Sequence, residues 1–191
     1  MAFSLFKKRE EVNPDTREQD KVLGDPGTLS DILLTTIMSG NKISKEQALT
    51  IPAVSSNVDF ISNMIASMPF KLYKYKKGKV EEVEGDPRTR ILNSDTGDTL
   101  DAFQMKKTMV SDYLLDKGGY AYIQKYRNEF TGLYYVDPVY MVFDYDYQPI
   151  YKSYKIFVGD SEYKPWEFIK LLRKTTNGAW GTGIVEELND A

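Results

Sequence analysis

No cysteine and no histidine occur anywhere in the sequence. The first absence removes disulfides, thiol nucleophiles and thiolate metal sites. The second removes the commonest general base and the commonest zinc ligand. Ser-His-Asp and Cys-His mechanisms are therefore excluded, and carboxylates, lysine and tyrosine are what remains for catalysis. No stretch approaches the roughly 20 apolar residues that a membrane span needs. The opening "MAFSLFKKREE" is not a secretory signal, because its apolar stretch is short and charge follows it instead of preceding it. The chain is expected to be soluble and to work inside the cell. Excess positive charge is missing too. The net charge is −3 and the pI about 5.2, so bulk charge gives no sequence-independent affinity for nucleic acid. There is no internal repeat and no low-complexity tract.

What the chain does have is an ordinary globular composition, 41% hydrophobic and 28% charged over 191 residues, with 14 tyrosines. That length suits one domain, or one domain with an arm. Tyrosine favours half-buried strands and contact surfaces. Residues 1–27 are polar and broken by "NPD" and "GDPG", which reads as a flexible arm. The assembled domain is expected over 28–191. It opens with a short helix over 28–38, with Leu29, Ile32, Leu33 and Ile37 on one face.

Ser44 and Gln47 fit a capping box, and Pro52 suits the first turn of the next helix. From there Val54, Val58, Ile61, Ile65 and Met68 form one apolar stripe, expected to be core. Pro69 ends that helix. "FKLYKY" and "KVEEV" follow as a hairpin about Lys77-Gly78, the nearest sheet for the stripe to cover. Pro87 starts a helical turn. Asp98 or Thr99 then caps a helix reaching about Lys117, with Phe103, Val110 and Leu114 buried, Leu100 and Tyr113 flanking, and Gly118-Gly119 as the stop. Strands come next, in "YAYIQKY", "LYYV", "VYMVF", "IYKSYKIFV" and "EFIKLL", with "RNEFTG", "DP" and "DYDYQP" as turns. Helices segregated before strands indicate an α+β fold with amphipathic helices packed on an antiparallel or mixed sheet.

The residues able to carry chemistry read mostly as structure. Asp144 and Asp146 are expected in a solvated turn. Asp112 and Asp116, four apart on one helix face, are expected to face solvent. "NGAWGTG" lacks the full G-x-G-x-x-G and has no Lys-Ser/Thr after it, so it reads as a turn into a helix and not as a phosphate loop. Basic runs occur at Lys7, Lys8 and Arg9 and at Lys71, Lys74, Lys76, Lys77 and Lys79. In the second run the lysines alternate with Tyr73 and Tyr75, and Glu81, Glu82 and Glu84 stand on the expected partner strand. A cross-strand-paired, solvated hairpin follows. The alternative is a single-stranded nucleic-acid module in which Lys71, Tyr73, Lys74, Tyr75 and Lys77 bind and stack. No catalytic residue, cofactor or metal site is expected.

The order of these features resembles the N-terminal, wing-like part of a tailed-bacteriophage portal protein. The similarity lies in the aromatic-basic opening "MAFSLFKKRE" and in "ALTIPAVSSNVDFISNMIASMPFKLYKY", a helix of small and aliphatic residues ending in proline and strand. It continues through "RILNSDTGDTLDAFQMKKTMVSDYLLDKGGYAYIQK", "LYYVDPVYMVF" and "WEFIKLLRKTTNGAWGTGIVEE". It covers about residues 45–186. Two positions depart from the family pattern. Lys170 stands near a frequent histidine, and Gly119 replaces a frequent asparagine. The resemblance implies a homo-oligomeric ring of about twelve subunits at one capsid vertex, through which DNA enters and leaves. It implies capsid protein, a separate packaging motor (terminase) and a head-tail adaptor as partners, with no membrane. The implied location is the virion, and the host cytoplasm during assembly. Portal chains are commonly about twice as long, so a partial chain without the stem and clip is expected.

Overall fold

A computed structural model describes residues 43–146, 148, 150 and 153–190. The expected arm, the helix over 28–38 and the basic run at Lys7, Lys8 and Arg9 lie outside the described residues.

The chain opens with α1 (Lys45–Leu49), closed by the expected capping box: Ser44 Oγ accepts from the Gln47 amide at 3.2 Å, and Gln47 Oε1 accepts from the Ser44 amide at 3.0 Å. Helix α2 (Pro52–Ser67) begins on its proline and ends where Met68 turns extended, ψ 127°, ahead of Pro69. Its inward face agrees with the expected one at Val58 and differs beyond it. Val58, Ser62 and Ala66 are buried, while Ile61, Ile65 and Met68 are exposed. The reason is packing distance. The helix lies against α4 (Ala102–Leu115), and small side chains spaced four apart let two helix axes approach closely. The Ser62 hydroxyl donates to the Asp59 carbonyl at 3.2 Å, so burying it leaves no unpaired donor.

Strands β1 (Tyr73–Lys76) and β2 (Lys79–Glu82) form the expected hairpin. Lys77 (φ 48°) and Gly78 (φ 80°) both take the left-handed conformation of a two-residue turn. Both strands are exposed along their length, so the hairpin does not cover the α2 stripe as expected. Its root is held by Asn93 at the end of α3 (Pro87–Asn93). That side chain accepts from the Phe70 amide at 2.7 Å and donates to the Phe70 carbonyl at 2.8 Å.

Helix α4 is capped by Asp101, not Asp98 or Thr99, through a 2.7 Å bond from the Gln104 amide. Asp98 is engaged elsewhere, accepting from the Tyr135 amide at 2.9 Å. Val110 is buried as expected, but Phe103 is exposed and Leu114 half-buried; Met105, Met109, Asp112 and Leu115 complete the inner face. The helix stops at Leu115. Gly119 begins β3 (Gly119–Tyr126) instead of ending the helix. A Cβ there would lie 2.2 Å from the Met109 carbonyl oxygen, so glycine is what lets α4 lie on the strand.

The strands make two antiparallel three-stranded sheets. The first has order β4-β3-β8, with β4 at Glu129–Val136 and β8 at Phe168–Leu171. The second has order β5-β6-β7, with β5 at Met141–Asp146, β6 at Ser153–Val158 and β7 at Ser161–Tyr163. The β3–β4 turn is only Arg127-Asn128 (φ 50° and 68°). Strand β5 runs through Asp144 to Asp146, where a turn was expected, and the short β7 carries no clear sequence signal. Alternation along β3 divides the core. Ala121 faces the helical layer with Ile91, Met105, Met109 and Leu133. Tyr120 faces the second sheet with Met141, Ile156 and Phe168. Helix α5 (Ile184–Asn189) closes the domain, and its Asn189 brackets Ile43 with bonds of 2.7 and 2.9 Å. The architecture is α+β, as the sequence indicates.

Enlarging the inner face of α2 is expected to cost far more than shrinking its outer face. Ala66→Leu should lower stability in urea denaturation by about 1–3 kcal/mol through overpacking, and Ile65→Ala by about 0.5 kcal/mol or less. The reverse order would show that the helix seats the other way round.

Candidate assembly face and candidate nucleic-acid hairpin

Helix α2 carries one charged residue in its 16, Asp59, and that carboxylate is paired with Lys107 of α4 at 3.1 Å. Outside the buried stripe, Ile61 and Ile65 form one ridge and Phe60, Met64 and Met68 the next. Phe60 is 65% and Met68 56% exposed. Past Pro69, Phe70 extends the surface, with the Lys106 ammonium 5.3 Å from its ring centre. Lys106 Nζ also donates to the Met68 carbonyl at 3.1 Å, and its partial burial lowers its pKa. A helix face with large apolar groups and almost no charge has the make-up of an interface centre. Of these residues, Ile61, Ile65 and Met68 were expected in the core, whereas Phe60, Met64 and Phe70 were not singled out in the sequence.

The hairpin places the nucleic-acid candidates on two faces. Tyr73 and Tyr75 share one face of β1 with Val80 and Glu82 opposite them. Lys74 lies on the other face, 3.7 Å from Glu81. Lys71, just ahead of β1, pairs with Glu82 at 3.1 Å, and that hydrogen bond raises its pKa. Lys77 occupies the turn. The tyrosines and the tip lysine are therefore not gathered on a single surface. Cross-strand pairing of the lysines with the glutamates occurs as expected at two positions.

The acids divide sharply. Asp144 and Asp146 are exposed on the outer side of β5, where the strands and Trp166 border a shallow groove. Asp112 is fully buried, contrary to the expected solvent position. It pairs with the Lys45 ammonium and accepts from the Tyr135 hydroxyl at 2.7 Å. Burial pushes its carboxyl up, against the pull of Lys45 and Tyr135. Burial also lowers Lys45, but its bond and charge pairing with Asp112 more than offset this, leaving it raised. Tyr135 is raised by burial and then by the Asp112 carboxylate, so it stays a donor. Sequence spacing could not reveal this, because both partners come from distant elements. The group joins α1, α4 and β4 and braces the fold there.

Gly181-Thr182-Gly183 leads into α5 as expected, and two of its amides are engaged: Gly181 donates to the Lys117 carbonyl at 2.6 Å and Thr182 to the Arg173 carbonyl at 2.8 Å. Lys170, at the departure from the family pattern, is held by the Tyr154 hydroxyl. Among the described residues, no cluster of three or more acids, histidines or cysteines is placed to hold a metal, and no helix is long and apolar enough to cross a membrane.

Breaking the buried pair from one side should be costly. Asp112→Leu strands the Lys45 ammonium and is expected to cost about 3 kcal/mol, whereas adding Lys45→Met to it should recover most of that loss. Urea denaturation of the four proteins of the double-mutant cycle checks it, and coupling below about 1 kcal/mol would contradict the bracing role.

No curated protein matches the chain. The model of the phage portal protein family matches residues 52–191. From α2 onward every element described above falls within that match, and the chain belongs to the phage portal protein family, a structural family of the virion and not one of enzymes.

Proposed function

We propose that the chain forms part of the wall of a homo-oligomeric portal ring of about twelve subunits, standing at one capsid vertex as the conduit for DNA packaging and ejection. It acts by self-assembly and catalyses nothing. A separate terminase motor supplies the packaging energy, and capsid protein and a head-tail adaptor contact the ring's outside. The ring assembles in the host cytoplasm and ends in the virion of a phage or prophage. An arm over 1–27 ahead of an assembling domain over 28–191 belongs to the same proposal.

The observation that supports this is a pair of exposed apolar patches on different outer sides of the fold. One is the α2 face with Phe70, roughly 600 Å² of apolar side chain, close to one partner's share of a standard interface and at the top of what a monomer exposes. The other is Val139 and Tyr140, exposed by 75% and 70% in the short 3-10 turn just ahead of β5, with Val142, exposed by 63%, on β5 itself. A closed ring needs heterologous contacts, in which one patch of each subunit meets a different patch of the next. Two unlike patches on the helical side and the far sheet meet that requirement.

Mass photometry and negative-stain imaging of the full-length gene product test this reading. The wild type should form closed rings. Ile65→Glu with Met68→Glu should shift the mass to monomer while leaving the far-UV circular dichroism spectrum unchanged, because both side chains lie on the outer face of the subunit fold. A wild type that stays monomeric with capsid protein present, or rings that survive the double substitution, would contradict it.

A further inference from the structure

We propose that Lys76, Lys77 and Lys79, at the tip of the β1–β2 hairpin, contact the phosphate backbone of duplex DNA without reading its sequence. The choice of an anionic polymer comes from the tip itself. Naming that polymer duplex DNA rests on the portal reading.

Charge along the hairpin is polarised. At the root, Lys71 and Lys74 are matched by Glu82 and Glu81. At the tip the register sets Lys76 directly opposite Lys79, and like charges in that position repel. Between them Lys77 sits at φ 48°, a left-handed position that glycine or asparagine takes more easily. Among the described residues these three ammonium groups have no ion-pair partner. Two locally unfavourable choices thus gather three positive charges within four residues, on a chain whose net charge is −3. Lysine is a common guard of exposed strand edges, but edge protection does not call for two of them directly opposite each other with a third in the turn between.

The mounting suits a contact with a long polyanion. Strands of four residues extend the tip about 13 Å from the root, and Asn93 fixes that root by bracketing Phe70. Stacking of a single strand on Tyr73 and Tyr75 fits less well. Glu82 stands opposite Tyr73 on the same face and is paired with Lys71, so the tyrosine face offers phosphates no uncompensated positive charge. The tip instead offers point charges with free reach, which is what duplex phosphate contact needs.

The test measures binding of the full-length protein to a labelled mixed-sequence duplex by fluorescence anisotropy, across salt concentrations. Mass photometry on the same samples reports the assembly state. The variant Lys76→Gln/Lys77→Gln/Lys79→Gln should bind about tenfold or more weakly at low salt. Its log–log salt slope should be shallower by about three for each hairpin that touches the duplex. The corresponding triple lysine-to-arginine variant should bind within about twofold of wild type. Assembled rings whose duplex affinity is unchanged by the glutamine variant would overturn the hairpin proposal and leave the portal reading standing. Tip-dependent duplex binding by a protein that never forms rings would do the reverse. Polyglutamate binding as tight as DNA binding would overturn the DNA assignment in favour of an acidic protein partner. Single-strand binding that is lost with Tyr73→Ala/Tyr75→Ala but kept in the glutamine variant would replace it with stacking.

Discussion

The contact between α2 and α4 sets the character of the helical layer. Val58, Ser62 and Ala66 are small enough for the two helices to lie close, and that seating is incompatible with burying the larger ridges beside them. Once the small stripe faces inward, Phe60, Ile61, Met64, Ile65 and Met68 must point outward. The same constraint therefore closes the core and creates the exposed apolar surface. A monomer gains nothing from such a surface, since wet aliphatic groups are where hydrophobic burial is still available. The charge-poor outer face of α2 is the surface that the proposed contact with a neighbour would cover.

Beneath the helices, β3 belongs to both halves of the core. Ala121 is small where α4 presses against the strand, and Tyr120 is large where the strand spans to the second sheet. Gly119 removes the last obstacle to the helix. The Lys45–Asp112–Tyr135 group then ties α1 and β4 to α4 at its most buried point. Such a group adds little net stability against an apolar replacement, yet it penalises any arrangement that leaves one member alone. It fixes where the chain ahead of α2 joins the domain, and Asn189 does the same for Ile43 from the other side.

Local signals were legible in the sequence because local physics decides them. Pro52, Pro69, the Ser44–Gln47 box and the Lys77-Gly78 turn each act through backbone geometry within a few residues. The ordered series of such segments was enough to indicate the family. What stayed hidden depended on partners far along the chain. The α2 stripe was drawn through aliphatic residues at helical spacing, and past Val58 it ran onto Ile61 and Ile65, whereas close helix packing selects the small Ser62 and Ala66. Asp112 looked solvated because only folding brings Lys45 and Tyr135 to it. The Asp144–Asp146 stretch looked like a turn because its alternation with tyrosine is also that of a strand with one wet face. Of the nucleic-acid candidates, the residue types and the alternation of Tyr and Lys along β1 were visible, but which residues stand opposite them needed the register.

The most direct measurement of whether α2 turns its large side chains toward a neighbour is hydroxyl-radical footprinting of its methionines. Met64 and Met68 are exposed on the outer ridge, whereas Met105 and Met109 are in the core. On dissociated full-length protein, Met64 and Met68 should oxidise readily and the core pair slowly. On assembled protein, Met64 and Met68 should become protected while Met105 and Met109 stay as they were. Equal oxidation of Met64 and Met68 in the two states would contradict the account, because the outer face of α2 would then remain wet in the assembly.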